Sequence, residues 1–108
     1  MIRVLAALSM ALAIGAGAFG AHGATGKAAE YLDTGSLYQM VHGLALLIVA
    51  DVNRKAAWLL FAGASLFAGT LYLMALGLPR WLGAITPIGG VLMIAGWLWM
   101  ASSFARRD

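Results

Sequence analysis

Four stretches of this chain carry no Asp, Glu, Lys or Arg: residues 4–26, 34–50, 56–79 and 81–105, which are 23, 17, 24 and 25 residues long. A helix crosses the hydrocarbon core of a bilayer with about 20 apolar residues, in a range of roughly 17–25. Each stretch is long enough, the second only just. In hydrocarbon every backbone N–H and C=O must be paired within the protein, which a helix does locally. Strands of a membrane barrel alternate polar and apolar residues, and these segments do not. The expected fold is therefore all-α, one integral membrane domain over residues 1–108 built from four transmembrane helices.

Composition supports the bilayer as solvent. The 108 residues are 63% hydrophobic and 10% charged, against about 25% charged in a soluble domain. There is no cysteine, so disulfides, thiolate metal sites and cysteine nucleophiles are excluded. The net charge of +3 contains no basic run longer than two residues, and nucleic acid is not expected as a partner. With four spans, Arg3, Arg54, Lys55, Arg106 and Arg107 share one side and Lys27 and Arg80 the other. Lys and Arg favour the cytoplasmic side, so both termini are expected in the cytoplasm of a bacterial inner membrane. Trp58, Trp81, Trp97 and Trp99 lie near span borders, where indoles prefer the interface. Arg3 and the "AGA" at 16–18 resemble a signal peptide, but the run is long for one and three more spans follow.

The longest loop, "ATGKAAEYLDTGS", joins spans one and two. Ala28 to Leu32 suit a short helix, begun at Thr25 and ended at Gly35, lying at the interface as a separate element. Lipid is as apolar as leucine, so close contact between small residues holds membrane helices together. Ala7, Ala11 and Gly15 recur at four-residue spacing on span one, and Ser65, Gly69 and Gly77 fall on one such series in span three. Packing inside the bundle is the expected use of both, with a dimerisation face as the alternative. In "ITPIGG", Pro87 lacks an N–H and disfavours helical geometry at Thr86. A kink, or a helix that begins near Pro87, is expected around Thr86, Pro87, Gly89 and Gly90.

The two histidines are the main polar features. In "SLYQMVHG", Ser36 and Gln39 fit a capping box, and Tyr38 and His42 share a face. With the helix starting at Ser36, His42 lies about 9 Å below the outer surface, and His22 lies about 6 Å below the outer end of span one. Similar depth predicts an outer-leaflet cluster of His22, Tyr38, Gln39 and His42. Such a cluster either braces the helices by hydrogen bonds or serves a haem, a quinone head group or a proton path. No carboxylate stands near the pair, so no metal site is expected.

Four motifs in one order, "GAFGAHG", "YQMVHGLALL", "FAGTLYLMALG" and "WLGAITPIGGVLMIAGW", resemble the small membrane proteins of domain-of-unknown-function family 423. That family is similar to the eukaryotic transmembrane protein 256 group and to uncharacterised UPF-type bacterial inner-membrane proteins. The resemblance runs from about Gly15 to Trp97. It implies a four-helix inner-membrane protein and no reaction. The family's characteristic residues match as Gly20, His22, Gly23, Tyr38, Gln39, His42, Tyr72, Thr86, Pro87 and Gly89.

The functional expectation is a non-enzymatic accessory or assembly subunit of a larger membrane complex, with membrane lipid around it and no resident cofactor. The alternatives are a small oligomeric transporter or channel, and a lipid-, quinone- or haem-binding module using His22 and His42.

Overall fold

The computed structural model describes residues 1–107. They form four long helices, α1 (Ile2–His22), α2 (Gly26–Val49), α3 (Arg54–Ala75) and α4 (Thr86–Arg107), with a 3-10 helix, Arg80–Ala84, between the last two. No strand occurs among the described residues. All four helical segments are long and apolar enough to cross a membrane. The helices pack in chain order, α1 on α2, α2 on α3 and α3 on α4. The α1 and α3 backbones approach only briefly, and those of α1 and α4 do not approach at all. The bundle is thus a curved row of helices, with one end carrying both termini and the α2–α3 connection and the other carrying the remaining two connections.

The helix ends follow from local chemistry. Asn53 caps α3: its side-chain oxygen accepts from the Ala56 N–H at 3.0 Å, which satisfies one of the free donors of the first turn. Gly77 stops α3. Its φ of +98° suits a residue without Cβ. Around it the Leu78 N–H reaches the Leu73 carbonyl at 3.0 Å and the Gly77 N–H reaches Met74 at 3.1 Å, the paired bonds of a Schellman motif, with Pro79 following. Gly77 therefore ends a helix and packs against none. Helix α4 begins at Thr86, as expected for a proline in the first turn, where its missing N–H costs nothing.

The loop between spans one and two differs from expectation. Residues from Gly26 onward are helical, but no break separates them from span two, and α2 runs unbroken for 24 residues. The separate interfacial helix is instead the first turns of α2. Two interactions carry the helix through Gly35 and Ser36. The missing Cβ of Gly35 leaves room for the Tyr72 ring, which a Cβ would meet at 2.7 Å. The Ser36 hydroxyl donates back to the Asp33 carbonyl at 3.1 Å, so Ser36 is not an N-cap. At 1.5 Å per residue α2 is about 36 Å long, longer than the roughly 30 Å hydrocarbon core. The roughly 6 Å left over carries Lys27, with Glu30 at its border and Asp33 within two turns of the helix start.

Small residues do bring the helices together, but a different set from that expected on α1 and α3. On α1 the packed positions are Ala6, Ala13, Gly17 and Gly20, and Gly17 lies against Ser36 while Gly20 lies against Leu32. Ala7, Ala11 and Gly15 face outward. The α3–α4 crossing is at Gly63 and Gly89, and not at Ser65 or Gly69. A Cβ on Gly89 would stand 2.7 Å from the Gly63 carbonyl oxygen and 2.6 Å from the Phe67 nitrogen. Gly90, beside it, meets nothing within 4 Å.

At the termini end all four helices contribute to one apolar cluster, with Ile2, Ala6, Leu46, Leu60 and Met100 among its members. An ion pair lies over it. Arg3 donates to Asp51 at 2.7 Å and to the Leu47 carbonyl at 3.2 Å, tying the start of α1 to the end of α2. Arg54 adds a looser contact to Asp51 at 3.5 Å. The hydrogen bond from Arg3, then its charge, holds the Asp51 carboxyl below the usual carboxylate range.

Two outcomes are expected. Gly89→Ala should lower thermal stability in detergent by about 1–3 kcal/mol, the usual cost of overpacking, whereas Gly15→Ala, with nothing within 4 Å, should hold or gain stability. Because the folded-state pKa of Asp51 is depressed, its contribution is present above the unfolded value and is lost as pH falls through the folded one. Asp51→Asn should be less stable than the natural chain at neutral pH. The difference should close in acid titrations below the ordinary pKa of 3.8.

Candidate functional site

Helix α2 carries two long polar side chains into the bundle, Gln39 and His42, three residues apart and so on one face. They are 5% and 7% exposed. Gln39 lies about 15 Å from the Val49 end of α2 and His42 about 10 Å, within the membrane-spanning part. Each must find its partners in the protein, because lipid supplies none.

Gln39 bridges three helices. Its amide N–H donates to Ser9 Oγ of α1 at 2.9 Å, and its oxygen accepts from the Tyr72 hydroxyl of α3 at 2.5 Å. His42 bridges to the fourth. Its Nδ1 lies 2.8 Å from the Tyr38 carbonyl, which only accepts, so Nδ1 carries the proton. Its Nε2 receives the Trp97 indole N–H of α4 at 2.9 Å, which only donates. The ring is thus held as one neutral tautomer with both nitrogens engaged. Tyr38 joins through its main-chain carbonyl, while its ring packs on Phe67 with centroids 4.7 Å apart.

Two further links join helices. Thr70 of α3 and Thr86 of α4 exchange a buried hydroxyl bond at 2.6 Å. Thr70 also lies 3.1 Å from the Leu66 and Phe67 carbonyls, and Thr86 lies 3.3 Å from that of Leu82, so both protons are placed. Asn53, besides capping α3, donates to Ser103 Oγ of α4 at 2.8 Å. Every buried side-chain nitrogen and oxygen among the described residues has a partner.

The expected four-residue cluster is therefore only partly assembled. Tyr38, Gln39 and His42 are together, and His22 is not with them. His22 is the exposed last residue of α1. Gly43, next to His42, lies against Met10, and twelve residues of helix from Met10 to His22 make about 18 Å. The cause is the early start of α2. Starting at Gly26 and not at Ser36 puts His42 ten residues deeper, about 15 Å, nearer the termini end than the opposite one. The Ser36–Gln39 capping box does not form, since both side chains have other partners. Of the residues around Pro87, Thr86 and Gly89 pack on α3, Pro87 is exposed, and Gly90 lines a cleft with His42 and Trp97. Ser9, Thr70 and Trp97 were not foreseen as partners. Lone hydroxyls within apolar runs were the available signal for Ser9 and Thr70.

Chemically the arrangement holds helices in register. Haem or metal ligation by His22 and His42 together is not available to these positions, and no group of three or more metal-ligating side chains occurs among the described residues. Two clefts open beside the network. One, about 290 Å³, lies between α1 and α3 over Gln39, with Ser9, Ser65 and Tyr72 on its walls. The other, about 420 Å³, lies between α2 and α4 over Phe67.

Four apolar spans braced by buried hydrogen bonds define a small polytopic membrane protein. The chain belongs to the family described as protein of unknown function DUF423, whose model matches residues 16–90. It is 44% identical over 108 residues to the UPF0382 membrane protein YwdK of Bacillus subtilis, covering 88% of each chain. It is 47% identical over 106 residues to a UPF0382 membrane protein of Staphylococcus epidermidis, covering 88% of this chain and 87% of that one. A UPF0382 membrane protein of Staphylococcus haemolyticus is 46% identical over 111 residues, covering 93% and 91%. No solved structure matches the chain.

A double-mutant cycle reads the His42 link. His42→Ala and Trp97→Phe should be coupled by about 0.6–1.7 kcal/mol, the scale of hydrogen bonds between membrane helices. His42→Ala and His22→Ala should be additive, as distant sites are. Unfolding in mixed micelles measures both, and coupling to His22 in place of Trp97 would falsify this geometry.

Proposed function

We propose that the chain is an accessory or assembly subunit that packs on another protein of the bacterial cytoplasmic membrane, with both termini in the cytoplasm. Five cations at the termini end against two at the other support that orientation. The observation that carries the role is the outward face of α1. This helix is the least buried of the four, and it turns Ala7, Ala11 and Gly15 away from the bundle at the four-residue spacing that lets helix backbones approach. With internal packing served by Ala6, Ala13, Gly17 and Gly20, the outer series has no use within the chain.

The other readings have less to stand on. A haem or quinone module built on His22 and His42 needs two side chains that lie apart, and the buried polar side chains of the spans are already hydrogen-bonded within the protein.

A photoreactive residue at position 11, in native membranes, should yield one discrete adduct with a different membrane protein. Gly15→Leu should abolish it while leaving thermal stability intact. Adducts with lipid alone overturn the proposal, and adducts with a second copy replace it by a homo-oligomer.

A further inference from the structure

The two cations of the loop end come from distant parts of the chain, Lys27 from the start of α2 and Arg80 from the 3-10 helix, yet both line one groove of about 420 Å³. Below them the groove is apolar. Phe67, Leu71 and Met74 of α3 form its floor, and from Met74 to Phe67 it descends about 10 Å along the helix. Charge at the top and hydrocarbon beneath, aligned with the helix axis, is the polarity profile of a phospholipid.

We infer that this groove is a binding site for a phospholipid with an anionic headgroup, drawn from the leaflet at the loop end. The headgroup phosphate lies between Lys27 and Arg80, and an acyl chain lies on Phe67, Leu71 and Met74. The charge at the mouth matches a monoanion. Arg80 makes no ion pair among the described residues. Lys27 is shared with one acid, Glu30, at a loose 3.6 Å, and its ammonium stands 5.9 Å from the Tyr31 ring. Asp33, the other acid on this part of α2, turns toward Gly20 of α1. Two cations and one carboxylate leave one positive charge for the headgroup. A soluble phosphate meets the cations but leaves the floor uncovered. The site lies against α2, α3 and α4, and its occupation is independent of any partner on α1.

The test is native mass spectrometry of the full chain in neutral detergent, titrated with phosphatidylglycerol or with phosphatidylcholine of the same acyl chains. Phosphatidylglycerol should be retained in preference. Lys27→Gln and Arg80→Gln should each weaken its retention about fivefold, and together roughly 30-fold, the scale of one lysine or arginine near an anionic membrane surface counted twice. Glu30→Gln should strengthen it. Both cations are exposed, so the double variant should keep the thermal stability of the natural chain measured without lipid. Equal retention of the two lipids, retention unchanged in the double variant, or full displacement by inorganic phosphate overturns the assignment.

Discussion

Hydrocarbon offers no partner to an amide or an imidazole, and the arrangement of this protein follows from how Gln39 and His42 meet that condition. Both lie on α2. Between them they reach Ser9 on α1, Tyr72 on α3 and Trp97 on α4. One helix thereby fixes the rotation and height of the other three. Each such bond contributes modestly, about 0.6 kcal/mol on average in a membrane, because the separated helices also find partners. Its larger effect is on specificity, since any other register leaves an engaged donor or acceptor facing lipid.

Those bonds are short only because the backbones come close. Gly43 lies against Ala6 and Met10, Gly35 receives the Tyr72 ring, and Gly63 and Gly89 touch through their main chains. Dispersion between tightly packed small residues then adds to the polar links, as it must where burial from water is not available to drive association. The two sets of contacts depend on one another. A bulkier side chain at Gly43 would move α1 away from the Gln39 amide, and loss of the amide would leave that interface held by packing alone.

The parts of the fold set by the bilayer were legible in the sequence. Charge-free runs of spanning length reflect the thickness of the hydrocarbon directly, and the start of α4 follows from the missing N–H of Pro87. The start of α2 was not legible. "DTGS" has the residues of a loop, and Ser36 and Gln39 have the spacing of a cap. The helix continues through them because Tyr72, from another span, occupies the space above Gly35. That one misplacement carried His42 about 15 Å toward the outer surface and produced the pairing with His22. The partners Ser9 and Trp97 depend on the relative rotation of several helices, which no local pattern encodes. The sequence puts Trp97 near a span border, yet it lies ten residues inside the end of α4 and its N–H is used within the bundle.

The bond from Trp97 to His42 spans 55 positions of sequence, and this separation becomes a delay during synthesis. At about 5–20 residues per second, the indole leaves the ribosome roughly 3–11 s after the imidazole it will serve. Through that interval α2 is made, and Nε2 of His42 has no Trp97 N–H from which to accept a hydrogen bond. Until α4 is made, the Nε2 acceptor of His42 depends on a donor other than Trp97. The last helix both completes the fold and releases the second from that dependence.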